Sequence, residues 1–190
     1  MSKERFESLL LSTQRKGMPE LIKYLRTTDF YTAPASTRFH GSYEGGLLEH
    51  SLNVYDMLAQ KIETDLWSRY SISSGSAIIV ALLHDICKAN YYKVDYRNAK
   101  NEKGEWVKVP YYTVDDQSPY GHGEKSVMIA TEFIKLTAEE KYAIRWHMGF
   151  SEPKENWSYL GNAMDKYPLV LALHQADMEA THLIEVDRNE

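Results

Sequence analysis

Residues 76–89 read SAIIVALLHDICKA, and they contain a contradiction. The run is apolar on nearly every side, as expected of a helix at the centre of a globular protein, yet His84 and Asp85 sit inside it. Its period predicts a helix over about 76–89. Working outward, a second helical period runs from Gly46 to about Lys61, with Leu47, Ser51, Val54, Leu58 and Ile62 on one face. His50 lies within it, with Leu47 and Val54 one turn to either side. A long helix is predicted over about 166–184, and there Asp177 interrupts a stripe of Val170, Leu173, Ala180 and Ile184. A buried carboxylate is costly without a partner. No Arg or Lys falls on these stripes, but histidines do. A divalent ion accepts neutral imidazole and ionised carboxylate together, and would satisfy both acids at once. One histidine on an apolar face is ordinarily a hydrogen-bonded core residue, and Asp85 alone reads equally well as a buried acceptor. The argument rests on the set.

The remaining histidines divide by position. His122, in PYGHGEK at a helix start, and His147, near the end of the following helix, suit a second site. His174, three residues before Asp177, reads as packing or as support for a ligand, and His182 as a surface residue.

The rest of the chain reads mainly helical. Glu4 to Lys16 forms an amphipathic helix ended by Gly17, and Pro19 opens a short helix through Leu25. Residues 26–45, RTTDFYTAPASTRFHGSYEG, have no period and form a loop longer than the usual connection. Residues 91–114 change character: Tyr- and Val-rich segments flank NEKGE, a β-hairpin signal. Helices return over about 123–136 and 138–148, the latter opened by Thr137 and Glu140 at capping-box spacing, and 149–165 reads as a loop. The class is all-α with one inserted hairpin.

Composition narrows the function. In 190 residues, 22 Lys and Arg stand against 27 Asp and Glu, for a net charge of −5. A protein that tracks nucleic-acid phosphates by charge should lean the other way. The one cysteine, Cys87, excludes a disulfide framework and a Cys-rich zinc module. No apolar run has the length of a membrane span, and MSKERFESLL does not resemble a secretory signal. The expectation is a cytoplasmic, single-domain protein over 1–190.

The order His50, His84-Asp85, Asp177, carried by GGLLEHSLNV (45–54), ALLHDICK (81–88) and LALHQADMEA (171–180), resembles the HD superfamily of metal-dependent phosphohydrolases. The resemblance implies a helical core of about five helices over 31–184, a helical extension over 1–30 and an insertion at 91–114. His122 and His147 between the second and third elements resemble the superfamily's binuclear branch. That branch implies one metal at the positions of His50, His84, Asp85 and Asp177, and a second at His122 and His147, with Asp85 bridging. The cofactor is then one or two divalent ions, of Mn, Fe, Co, Ni, Zn or Mg. A local likeness to YhaM-type 3′-5′ exoribonucleases covers APASTRFHGSYEGGLLEH (33–50) and WHMG (146–149), with Met148 where those enzymes often carry a second histidine.

The resemblance implies hydrolysis of a phosphoester by a metal-activated hydroxide, with a nucleotide or short oligonucleotide as substrate. Asp85 would bridge and orient. Lys88 would bring a cation to the phosphate, or else be a solvated lysine at a helix end. His40 would contact substrate or protonate the leaving oxygen, or else lie on the surface. The hairpin tyrosines and Trp106 suit either a lid that stacks on a base or packing against the body or another subunit. Its cluster Lys93, Arg97, Lys100, Lys103 and Lys108 is diluted by Asp95, Glu102 and Glu105, so long nucleic acid is not the expected partner. Three other readings are a di-iron HD-type oxygenase, a 3′-5′ exonuclease on longer RNA or DNA, and a non-catalytic metal-binding module; a homo-oligomer is compatible with each.

Overall fold

The computed structural model describes residues 2–39 and 41–186. Its elements run α1 (Ser2–Ser12), α2 (Met18–Leu25), α3 (Gly46–Ile62), α4 (Ser74–Leu83), β1 (Tyr92–Lys100), β2 (Trp106–Val114), α5 (His122–Phe133), α6 (Ala138–Trp146), α7 (Trp157–Lys166) and α8 (Pro168–Glu179). The architecture is all-helical with one antiparallel hairpin, as the sequence predicts. No helix among the described residues is long and apolar enough to cross a membrane.

Helix α4 is the hub. Every residue from Ser76 to Leu83 is buried, and α1, α3, α6 and α8 all pack on it. Phe6 and Leu10 of α1 and Leu21 and Leu25 of α2 join the same apolar core as Leu47, Val54 and Leu58 of α3 and Leu169, Val170 and Leu173 of α8. Two of the helices that surround α4 therefore face each other across it with their polar interruptions, His50 and Asp177, on inward sides.

Four elements differ from the sequence reading. The helix predicted over 76–89 ends at Leu83. His84 caps it, Asp85 leaves helical geometry (φ −105°, ψ 16°), and one 3₁₀ turn, Ile86–Lys88, follows. The break frees the Asp85 carboxylate to reach partners on α5 and α6 as well as Lys88. Helix α1 stops at Ser12 rather than Lys16, because the hydroxyls of Ser12 and Thr13 bond back to the carbonyls of Leu9 and Leu10 and compete with the helical ladder. Residues 149–165, read as a loop, contain α7, which buries Leu160 and Ala163. Packing overrides a weak local pattern there. The last helix begins at Pro168, and a π-helical turn, Ala180–Ile184, extends it.

The hairpin pairs Tyr92 with Val114 through to Lys100 with Trp106. Its root is anchored, since the Tyr92 hydroxyl donates to the Ala35 carbonyl at 3.2 Å. Beyond the root, Val94, Arg97 and Tyr112 share a cavity of about 750 Å³ with Thr37, Arg38 and Ser42, and Tyr96 and Trp106 are exposed.

A buried acid closes the N-terminal helices onto the rest. Glu140 is wholly buried and accepts from both terminal nitrogens of Arg15 (2.7 and 3.0 Å), from the Ser76 hydroxyl (2.8 Å) and from the Thr137 N–H (2.8 Å). Thr137 returns the bond to the Glu140 N–H, which completes the capping box. Burial alone would raise the Glu140 pKa, but Arg15, the Thr137 amide and Ser76 outweigh it and hold the carboxyl below its usual value. Glu140→Ala should lower stability by about 3 kcal/mol, because it leaves several buried donors unpaired. A depressed acid stabilises above its unfolded pKa and loses that contribution as pH falls through the folded one. Wild-type melting temperature should therefore fall on acidification through pH 4 more steeply than that of Glu140→Gln, as followed by thermal unfolding at a series of pH values.

Candidate functional site

The break after α4 puts Asp85 at the meeting point of four helices. Its carboxylate is buried, and its two oxygens face different groups. Oδ2 accepts from Lys88 Nζ at 2.6 Å and lies 3.5 Å from His84 Nε2 and 3.8 Å from His50 Nε2. Oδ1 lies 2.7 Å from His122 Nε2 and 3.5 Å from His147 Nε2. On the first side, His50 Nε2 stands 3.2 Å from Asp177 Oδ1 and 3.3 Å from His84 Nε2. The structure thus brings His50, His84, Asp85, His122, His147 and Asp177 into one cluster. Three overlapping trios have donor atoms within 4.8 Å of one another: His50, His84 and Asp177; His84, Asp85 and His147; and Asp85, Cys87 and His122.

The far nitrogen of each buried imidazole is occupied. His84 Nδ1 donates to the Ala81 carbonyl at 2.8 Å, and His147 Nδ1 donates to the Ile144 carbonyl at 2.6 Å. Both carbonyls sit in the last turn of a helix, where they have no intrahelical donor. His50 Nδ1 faces the Glu185 carboxylate at 3.0 and 3.1 Å. These bonds place the ring protons on Nδ1 and turn Nε2 of each histidine toward Asp85 and Asp177. His147 Nε2 is buried with no hydrogen-bond partner among the described residues.

The electrostatics follow from this crowding. Burial penalises a charged His50, but Asp177, Glu185 and Asp85 outweigh it and raise its pKa to about 9. Burial pushes His84 down to about 4, and the neighbouring His147 and His50 add to that effect against the pull of Asp85. Asp85 itself is held well below the usual carboxylate range, because Lys88, His84 and His122 overcome the cost of burial. Burial pushes the Cys87 thiol up to about 12, so it meets His122 Nδ1, 3.2 Å away, as a neutral thiol.

Lys88 is less solvated than a lysine at a helix end. Its ammonium bonds Asp85 and the Ala35 carbonyl (2.7 Å), so Asp85 does have a lysine partner, three residues further along the chain. His174 donates from Nδ1 to the His147 carbonyl at 2.8 Å. His182 is exposed. His40 lies outside the described residues. Glu185 escaped the sequence reading altogether, since an acid at the end of the last helix looks like a solvated one.

A cavity of about 240 Å³ opens onto the cluster, and Lys88, His174, Met148 and Met178 complete its wall. A larger and mostly apolar groove of about 360 Å³ lies between α5 and α6 and contains none of these groups. The donor chemistry, not the volume, locates the site.

Gly149 shapes that wall. Its φ is +57°, and a Cβ there would fall 2.2 Å from His174 Cε1. Gly149→Ala should displace the His174 ring and break its bond to His147, at a cost of about 1–3 kcal/mol. Thermal unfolding and the NMR shifts of the His174 imidazole check both effects.

Comparison with known proteins places these residues in context. The family model of the HD domain matches residues 47–181. A segment of 62 residues, 32% of this chain, is 42% identical to the dihydroneopterin 2′,3′-cyclic phosphate phosphodiesterase of Methanocaldococcus jannaschii, and covers 24% of that relative. The match therefore spans about a quarter of the relative's length. No solved structure matches the chain.

Proposed function

The chain belongs to the HD-domain family, and from that membership we propose that it is a metal-dependent phosphohydrolase acting on a small phosphoester, a nucleotide or short oligonucleotide. The observation that carries this reading is the two-sided Asp85 cluster. The residues themselves fit a metal. The Nε2 atoms of His50, His84 and His147 converge on two carboxylates, and His147 Nε2 is buried with no hydrogen-bond partner among the described residues. Imidazole and carboxylate together suit divalent ions of intermediate hardness.

In this reading His50, His84, Asp85 and Asp177 hold one ion, and Asp85, His122 and His147 hold a second. Ions held there would supply Lewis acidity that activates water and neutralises charge on the phosphoryl oxygens. The chain's own groups do the rest. Lys88 uses two of its three protons on Asp85 and Ala35, and the third is available to a phosphoryl oxygen. His174, with Nδ1 committed to His147, presents Nε2 as the nitrogen left for the cavity, where it can take a proton from water and then return that proton to the leaving oxygen. His40 belongs to the same proposal as a contact for substrate.

The partial relative favours a cyclic phosphodiester, since its name specifies a 2′,3′-cyclic phosphate. A net charge of −5 opposes a many-phosphate grip on long RNA. Of the hairpin cations, Lys93 pairs with Asp115 at 3.6 Å, and Arg97 and Lys100 lie over Tyr111 and Trp106.

Chelator-stripped protein reloaded with Mn2+, Co2+ or Fe2+ should retain one or two ions per chain by elemental analysis. It should hydrolyse 2′,3′-cyclic nucleotides or dinucleotides in a phosphoester panel, with weak salt dependence. Asp85→Ala should lose both metal and turnover. Absence of metal from the wild type would end this reading. A long RNA degraded faster than every small substrate, and strongly inhibited by salt, would replace it with the exonuclease. Turnover that requires iron and O2 would replace it with the oxygenase.

A further inference from the structure

Glu185 enters the site by an unusual route. An α-helix continued from Asp177 would turn residue 185 roughly 80° away from the direction of Asp177, at 3.6 residues per turn. Instead Ala180–Ile184 is π-helical, and the Glu185 N–H donates to the Ala180 carbonyl five residues back at 3.0 Å. The wider turn takes back that rotation, and Glu185 returns to the face that carries Asp177. Single π turns of this kind are frequent at functional sites.

The result is a ring held on both nitrogens. Asp177 Oδ1 faces His50 Nε2 at 3.2 Å, and the Glu185 carboxylate faces Nδ1 at 3.0 and 3.1 Å. The ring is 2% exposed and the Glu185 side chain 4%. Asn53, one turn beyond His50 on α3, donates from Nδ2 to Glu185 Oε1 at 2.9 Å and braces it. An ionised carboxylate only accepts, so this contact keeps a proton on Nδ1 and the lone pair of neutral His50 on Nε2. His84 and His147 achieve the same with neutral backbone carbonyls. Of these three histidines, His50 has an anion behind it, and an anionic acceptor raises the basicity of the nitrogen opposite.

We propose that Glu185 is a positioning residue for the metal centre: by fixing the tautomer and strengthening the donor power of His50, it sets how tightly the His50–His84–Asp177 side holds a divalent cation. This rests on the reading of His50 as a ligand. The π turn is then the device that allows one helix to supply both Asp177 and the residue behind His50.

The test is Co2+ binding to the chelator-stripped full chain, by calorimetric titration and by the visible absorption of the bound ion. Wild type, Glu185→Ala, Glu185→Gln, Asn53→Ala and His50→Ala are compared, with the melting temperature of each metal-free protein. Glu185→Ala should weaken binding by about 10- to 100-fold and shift the Co2+ spectrum. Glu185→Gln should recover only part of that loss, because an amide oxygen still accepts from Nδ1 but carries no charge to strengthen Nε2. A mere tether would lower the metal-free melting temperature and leave the affinity and spectrum unchanged. If Glu185→Ala folds and binds Co2+ as wild type does, while His50→Ala does not, the inference fails and the metal reading stands. If Glu185→Ala does not fold, Asn53→Ala decides: a several-fold loss of affinity supports the inference, and wild-type affinity overturns it. A wild type that binds no Co2+ overturns both.

Discussion

A carboxylate has to be kept ionised at the buried end of the most apolar helix of the chain, and the structure is arranged around that demand. Asp85 meets it with both oxygens: Lys88 and the His50–His84 side engage one, and His122 and His147 the other. Meeting it costs regular structure, since the helix gives way at the residue that must reach in two directions. A buried charge is tolerated where its partners are close and themselves hydrogen-bonded. The backbone carbonyls at the ends of α4 and α6 fulfil that second condition, so helix termination and side-chain orientation are one event at each histidine.

Glu140 provides the contrast that gives the Asp85 cluster its meaning. Both acids are buried, both are held below their usual pKa, and both join several helices. Around Glu140 every identified bond runs from a donor to the carboxylate, and the group is closed off. Around Asp85 and Asp177, imidazole nitrogens face one another, one has no hydrogen-bond partner among the described residues, and a cavity opens alongside. A purely structural acid needs nothing further. The second arrangement leaves imidazole nitrogens and carboxylate oxygens converging on a point.

Much of this was legible in the sequence, because polar residues on apolar stripes contradict the stripe. His50, Asp85 and Asp177 could be singled out from their neighbours at one-turn spacing, and the structure places all three in one cluster with His84. The less legible parts depended on departures from regular geometry. Glu185 faces His50 because a π turn, which leaves no mark on an apolar period, rotates it inward. Helix α7 has only Leu160 and Ala163 in the core, too few to show a stripe in a polar segment. Ser12 and Thr13 end α1 through their hydroxyls, a local competition that amphipathicity does not encode.

The cluster also has a place in time. Its hydrogen bonds link residues 34, 37 and 135 positions apart along the chain. None of its pairs, apart from the neighbours in 84–88, is local. In a small zinc module, closely spaced ligands gather an ion and organise the fold around it. Here the loops to be closed are long and the helices must already be docked, so the imidazoles and carboxylates meet only after the chain has been synthesised through residue 185. Contacts of such separation carry a large loop-closure cost. The geometry is inherited from the finished core rather than organising it, and a nascent chain that lacks its last turns has the histidines but no centre.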